Sequence, residues 1–291
     1  MYTTYLNRLT LVSDDAETDF LMHGLKRTCY NNIYPYNLFP AKGLTHVDLA
    51  PITIFYGGNG SGKTTLLNIL AEKARVQRHA AFNGSAFFAQ YVENCALSGG
   101  EVSSHSQILT SDDVFDYVLN IRHLNDGIDG MRDALLQDYT QRKYASHRFS
   151  GMAEYDDWKE SFDAKRRTQS QFVRRRLMPN VDMASNGESA MRYFVQHITE
   201  QALYLLDEPE NSLSVERQQE LCEYIRTSAR HYGCQFVIAT HSPILLAIPD
   251  ARIYDLDACP VVTKPWTELE NVRRYFDFFE AHRQEFLAQS L

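Results

Sequence analysis

The chain has 291 residues, with 29 Lys and Arg against 37 Asp and Glu, a net charge of −8 and 44% hydrophobic residues. That length is long for one domain and short for two, the hydrophobic share is enough for a buried core, and the acidic balance argues against a general nucleic-acid-binding surface. The five cysteines, Cys29, Cys95, Cys222, Cys234 and Cys259, form no C-x-x-C pair, which argues against a disulfide framework and a zinc site and reads as reduced thiols, mostly core filler, in a cytoplasmic protein.

No basic segment leading into an apolar stretch opens the sequence, so no signal peptide is expected. Apolar runs such as residues 202–206 and 236–239 are too short to cross a bilayer, so no direct membrane insertion is expected either. Residues 6–13 read as a first strand on Leu9, Leu11 and Val12, and the acidic residues 14–19 read as a loop. Residues 31–40 (NNIYPYNLFP) are aromatic and proline-rich, which predicts an extended, irregular path. Residues 45–49 lead to a β-branched strand over 52–56.

Residues 57–65 (GGNGSGKTT) then fit G-x-x-x-x-G-K-[ST], between that strand and a helix over 63–75, and this context makes the pattern a phosphate-binding loop. Glycines let backbone N–H groups curl around phosphates where a Cβ would clash, and the helix N-terminus adds partial positive charge. The nucleotide site is therefore expected at Gly57, Gly58, Asn59, Gly60, Ser61, Gly62, Lys63, Thr64 and Thr65. Lys63 would reach the β- and γ-phosphates and the Thr64 hydroxyl would ligate Mg²⁺. Just upstream, a flat aromatic face suits stacking on a base. Tyr34, Tyr36 and Phe39 are the candidates, with Tyr36 the one assigned; packing the sheet edge is their other use.

Downstream, Asn83-Gly84 between apolar runs predicts a hairpin or a tight loop, and the polar residues 98–105 a loop. Ile108-Leu109 reads as a short strand. Thr110 or Ser111 can cap the next helix, with Asp112 and Asp113 complementing its dipole. Val114, Tyr117, Val118 and Ile121 follow at helical spacing, Asn125-Asp126-Gly127 is read as a break, and a second helix carries Met131 and Leu135. Residues 111–177 are thus read as a helical insert within a single domain over 1–291. Here the charge changes sign: residues 141–176 hold ten Lys and Arg against five Asp and Glu. Lys165-Arg166-Arg167 and Arg174-Arg175-Arg176 carry most of it, as a solvated helix face or a partner or nucleic-acid contact.

Ser185, Asn186, Gly187 and Glu188 form a small turn at a helix start, a second place for an anion. Residues 202–210 (ALYLLDEPE) are an apolar strand ending in carboxylates, costly to bury unless a metal or hydrogen-bond donors meet them. Asp207 would hold the Mg²⁺ shell, and Glu208 would orient and deprotonate an attacking water. After Asn211-Ser212-Leu213-Ser214 comes a helix with Leu221, Ile225 and Ala229, capped by Ser214. A buried strand over 235–240 ends at His241, placed to meet a γ-phosphate. Residues 253–256 read as a strand and 267–287 as a helix. Trp266, Tyr275, Phe276, Phe278 and Phe279 there are expected to pack on the core, a partner surface being the alternative.

The order phosphate loop, S-x-G-E, Asp-Glu, a D-loop-like turn (N-S-L-S where the family form is S-A-L-D) and His resembles the ABC ATPase superfamily over residues 52–246. More closely, residues 108–115 (ILTSDDVF) and 240–243 (THSP) are similar to compact, stand-alone bacterial AAA-family ATPases. These share their plan with SMC-type and overcoming-lysogenization-defect-type ATPases. The resemblance implies an α/β P-loop NTPase fold of ABC type: a mixed central sheet flanked by helices, an antiparallel β subdomain and the helical insert. It makes Ser185, Asn186, Gly187 and Glu188 the signature turn, which contacts ATP in trans across a head-to-tail homodimer. It assigns catalysis to Glu208, His241 and Lys63, and the metal to Thr64 and Asp207. Gln90 and Gln107 are both candidates for the Q-loop glutamine, and Ser214 stands where the family's turn has Asp.

The function implied is an ATP- and Mg²⁺-dependent switch ATPase that regulates or drives a separate partner, such as an antiphage-defence effector. SMC-like DNA maintenance, a non-hydrolysing nucleotide-sensing scaffold and a transporter's nucleotide-binding subunit are the alternatives. S-N-G-E departs from the transporter form L-S-G-G-Q, and no long heptad repeat supports the SMC reading. The Asp207–Glu208 pair argues against a pure sensor. Nucleic acid is left open as a partner that the composition does not ask for.

Overall fold

The strands of the computed structural model are β1 (Leu6–Thr10), β2 (His46–Asp48), β3 (Ile52–Tyr56), β4 (Ala96–Gly99), β5 (Gln107–Thr110), β6 (Leu203–Asp207), β7 (Gln235–Thr240), β8 (Arg252–Asp255) and β9 (Val262–Thr263). The structure describes residues 2–24, 32–144, 155–180 and 185–288. Six of the strands form one sheet in the order β5-β6-β7-β3-β8-β9. Its first five strands are parallel and β9 closes one edge antiparallel. Every position of β3 and β7 is buried, as is β6 up to Asp207. Continuous apolar runs of this kind belong in a parallel sheet covered on both faces. A three-stranded antiparallel sheet, β2-β1-β4, lies in the same compact unit.

Register decides where the chemistry can be. Tyr56 pairs with Thr240, and Asp207 with Ala239, so the carboxyl ends of β3, β6 and β7 stand side by side. In open α/β sheets that is the edge where ligands bind. The buried Gln235 amide starts β7 and fixes β1 to it. Its Oε1 accepts from the N–H groups of Tyr5 (2.8 Å) and Leu6 (2.9 Å), and its Nε2 donates to Leu6 O (2.8 Å) and Ala50 O (3.1 Å). All its hydrogen-bonding directions are used, so this buried polar group adds specificity without an unmet donor.

The chain divides into two compact units, one of Met1–Phe115 with Asn186–Leu291 and one of Asp116–Ser185. The first holds both sheets, together with α1 (Asp14–Asp19), α2 (Lys63–Ala74), α3 (Phe88–Asn94), α7 (Asn186–His197), α8 (Val215–His231) and α9 (Pro243–Leu246). Most of α4 (Ser111–Tyr144) falls in the second, with α5 (Tyr155–Arg166) and α6 (Gln169–Arg174). There Tyr139, Ala164 and Phe172 make a small core. Two members of the basic run, Arg167 and Arg176, are held within this unit, while Arg166, Arg174 and Arg175 are exposed. Arg167 pairs with Asp163 at 2.5 Å, and Arg176 lies 3.7 Å over the Phe172 ring.

Several expectations change. Residues 14–19 are helix α1, because Ser13 Oγ accepts the Ala16 N–H at 3.4 Å and the acidic first turn suits the helix dipole. Residues 34–39 turn instead of running extended. No hairpin forms around Asn83-Gly84; the chain goes into α3, which buries Phe88, Tyr91 and Val92. The start of the expected loop at 98–105 is taken by β4. The break at 125–127 does not occur, and α4 runs through it. A glycine in a helix costs only about 1 kcal/mol, while Ile128 and Tyr139 further along are buried. Thr110 and Asp113 form a reciprocal cap at the start of α4. Asp113 Oδ2 accepts the Thr110 N–H at 2.8 Å, and Thr110 Oγ1 accepts the Asp113 N–H at 3.3 Å.

Candidate active site

The turn between β3 and α2 needs glycine at two positions. A Cβ at Gly57 would come within 2.5 Å of Ser61 Oγ, and Gly62 has φ 103°, a left-handed angle that disfavours other residues. Gly62 caps α2 without a side-chain acceptor, so the first-turn N–H groups face the loop as an anion site. Ser61 Oγ is buried with no hydrogen-bond partner, which fits a phosphate oxygen lying in the cradle. The buried Lys63 Nζ donates to Gly57 O at 2.8 Å and Gly58 O at 3.1 Å, and lies 3.5 Å from Glu208 Oε1.

The end of β6 brings the carboxylates to the same place. Thr64 Oγ1 donates to Asp207 Oδ1 at 3.1 Å. These are two hard oxygen donors of the kind Mg²⁺ takes alongside phosphates and water. Among the described residues no three His, Cys, Asp or Glu side chains group to hold a metal, so phosphate oxygens would have to complete the shell. When bound, Mg²⁺ would supply charge neutralisation at the β- and γ-phosphates. Burial pushes the Asp207 carboxyl up to about 6; the Thr64 hydrogen bond and Lys63 oppose this, and Glu208 and Glu210 add to it.

Glu208 sits just beyond Asp207 at φ 47°, ψ 52°. This left-handed conformation costs a non-glycine residue about 1–3 kcal/mol and is found where surrounding contacts hold it. Its N–H donates to Ala239 O at 2.9 Å, and its Oε2 accepts from Asn211 Nδ2 at 3.1 Å. From the end of β7, His241 Nδ1 lies 3.8 Å from Glu208 Oε1 and 3.6 Å from Glu210 Oε1. Lys63, Thr64, Asp207, Glu208 and His241 thus converge from three strand ends. Asn59, Gly60 and Glu208 line one cleft together with Tyr34 and Leu38.

The remaining assigned residues lie elsewhere. Tyr36 is buried, stacked on Phe20 with ring centroids 4.0 Å apart and edge-on to Tyr91 at 5.0 Å, so no face is left for a base. Phe39 is fully buried too. Tyr34 is the aromatic at the cleft, where its hydroxyl donates to Thr65 Oγ1 at 2.8 Å. Gln90 lies on α3 in a pocket with Ser13, Asp19 and His23. Gln107 starts β5 level with Tyr204, while Thr110 is level with Asp207. Gln107 is therefore about 10 Å along the strand from the carboxylates, and its Nε2 donates to His197 O at 2.6 Å. Neither glutamine reaches the Thr64–Asp207 oxygens. Ser185 is exposed, Gly187 lies by Ser212, and Glu188 pairs with Arg217 at 3.4 Å; none of the four signature residues lines the cleft of Lys63.

Two residues were missed. The buried Glu210 accepts through Oε1 from Thr240 Oγ1 (2.6 Å), His241 N–H (3.0 Å) and Ser242 N–H (3.3 Å), while its Oε2 has no hydrogen-bond partner. A third carboxylate so soon after an apolar strand was its signal. Asp257 Oδ2 accepts the Gly58 N–H at 2.8 Å across 199 residues, and no local pattern announces that.

The raised Asp207 value carries a stability consequence. In the unfolded chain an aspartate titrates near 3.8 and here near 6, so the folded form holds the proton more tightly. Above about pH 6 the ionised carboxylate destabilises the nucleotide-free fold, by about 3 kcal/mol at full effect, and that cost fades as pH falls from 6 towards 4. Asp207→Asn should therefore raise the melting temperature of the nucleotide-free protein by several degrees at pH 8, with the gain shrinking at pH 5. Equal gains at both pH values in calorimetry would show that burial does not hold Asp207 near 6.

A family model described as "AAA domain, putative AbiEii toxin, Type IV TA system" matches residues 72–247. The matched stretch includes Asp207, Glu208 and His241; the glycine loop lies upstream of it. No curated protein matches the chain. Among solved structures, the chain is similar to an Smc head domain with an extended coiled coil, bound to the C-terminal domain of ScpA, from Pyrococcus furiosus. The identity there is 12% over 96% of this chain and 99% of that one, with a TM-score of 0.42. It is also similar to the SMC head domain of Thermotoga maritima, at 11% identity over 90% and 99%, TM-score 0.39. A third is CbiO1 of Clostridium perfringens, part of the ABC transporter complex CbiONQ, at 14% identity over 84% and 92%, TM-score 0.38.

Proposed function

The chain belongs to the AAA-domain family whose model spans residues 72–247, and from that premise we propose that it is an Mg²⁺-dependent ATPase whose head-to-tail dimerisation on ATP regulates a separate protein partner. The observation that carries this reading is the meeting of Lys63, Thr64, Asp207, Glu208 and His241 at adjacent strand ends. Lys63 would exchange the Gly57 and Gly58 carbonyls for phosphate oxygens. Thr64 and Asp207 would supply the protein oxygens of the metal shell. Glu208, held by its backbone and Asn211, would orient a water for in-line attack and take its proton, with His241 beside the γ-phosphate.

Ser185, Asn186, Gly187 and Glu188 would close the γ-phosphate side of a second copy's site, which accounts for their distance from their own. The family's description names a toxin of a toxin–antitoxin system, and this favours a regulated effector, antiphage defence included, over transport. Among the described residues no helix is long and apolar enough to cross a membrane, so a transport role would need another chain.

The decisive experiment is steady-state ATP hydrolysis with and without Mg²⁺ and DNA. Mg²⁺-dependent turnover indifferent to DNA is the expected result. Stimulation by DNA would move the assignment to DNA maintenance, and zero turnover in every condition would leave a nucleotide sensor.

A further inference from the structure

The aromatic residues after Trp266 do not pack on the core as their sequence suggests. Helix α10 (Glu270–Ala281) is anchored only at its start, where Leu269 and Val272 are buried and the Asn271 N–H donates to the Tyr56 hydroxyl at 3.1 Å. From Arg273 to Glu280 every residue is exposed, so the helix stands off the body. The helical face that Val272 buries continues as Tyr275, Phe276 and Phe279, exposed by 48%, 56% and 53%, with Phe278 at its edge. In α11 (Arg283–Ala288), Phe286 and Leu287 are exposed by 61% and 57%. The rings form one surface: Phe278 lies 5.6 Å from Phe279, and Phe279 lies 6.2 Å from Phe286.

We propose that this surface is covered by the same surface of a second copy, in a two-fold dimer that forms without nucleotide. Area is the first argument. An aromatic side chain offers about 150–250 Å², so six large apolar side chains exposed by about half present roughly 500–700 Å². Monomers rarely leave a patch that large open to water. Two such patches together bury roughly 1,000–1,400 Å², at the threshold for a specific interface, and a two-fold axis lets one patch be its own complement.

Charge is the second argument. The rim pairs within itself, Arg274 with Glu270 and Arg283 with Glu280, and Arg273 faces Phe276. With Asp277 and Glu285 the two helices carry four acidic and three basic residues, a mixed rim with no basic excess to draw a nucleic acid or an anionic lipid surface. The Asn271–Tyr56 bond joins α10 to the strand that leads into the glycine loop. If the proposed ATP-driven closure is correct, on which this clause rests, such a tether would make that closure intramolecular and raise the effective concentration of the two sites.

The test is the mass of the full chain without nucleotide, by sedimentation velocity or light scattering at micromolar concentration. The wild type and Lys63→Ala are expected at the mass of two copies. Phe276→Asp with Phe279→Asp is expected at the mass of one, with an unchanged circular dichroism spectrum. Should that variant fail to fold, Phe286→Asp with Leu287→Asp is expected to behave the same way. A single-copy wild type overturns the proposal, including one that doubles only with ATP and Mg²⁺ or pairs only with a different protein. So does a folded variant that keeps the two-copy mass. A nucleotide-free dimer without ATP turnover would sink the ATPase reading and leave this one standing.

Discussion

Glu208→Gln is expected to lower steady-state ATP hydrolysis by about 10²–10⁴-fold while ATP binding persists, so that an ATP-bound dimer accumulates. The substitution keeps the size of the side chain and its capacity to accept from Asn211, which lies 3.1 Å away. The left-handed backbone is fixed by the Glu208 N–H bond to Ala239 O at 2.9 Å, which the substitution does not touch. What is lost is the basic oxygen that faces His241 and Lys63. Phosphate release and mass with ATP and Mg²⁺ would be read on the same sample. Hydrolysis at the wild-type rate would show that another group takes the proton.

Lys63→Ala should weaken nucleotide binding by more than about 100-fold, the scale for removing one partner of a buried charge contact. Lys63 is buried and makes its bonds to Gly57 O and Gly58 O where phosphate oxygens would lie. Without it the loop keeps its amides but loses the only cation among the described residues that line the cleft. Titration calorimetry with ATP and Mg²⁺ measures the loss, and undiminished affinity would remove the loop from the nucleotide site.

What could be read from the sequence depended on how local the cause was. The strand, glycine turn and helix around Lys63 lie within 25 residues, and each requirement shows in the residue types. Asp207, Glu208 and His241 were legible because polar residues end apolar runs, and a parallel sheet aligns such ends. Gln107 failed because the direction and register of β5 decide which end of the strand meets the carboxylates. Tyr34 and Tyr36 are chemically near-equivalent in sequence. Phe20 and Tyr91, which close around Tyr36 from other parts of the chain, leave Tyr34 as the one at the cleft. The apolar face of α10 was visible as a face, but nothing in its spacing says how far the body extends beneath it.

The hydrogen bonds to Glu210 separate two motions at the end of β7. Its Oε1 holds the backbone of His241 and Ser242 and the Thr240 hydroxyl, while the His241 ring is 46% exposed and lies near two carboxylates. The ring can change partners by rotating about its own χ angles while the loop stays still. Exposed side chains reorient in picoseconds to nanoseconds, whereas loop rearrangements run from nanoseconds to microseconds. A response at His241 would therefore be over long before a turnover on the scale of milliseconds to seconds.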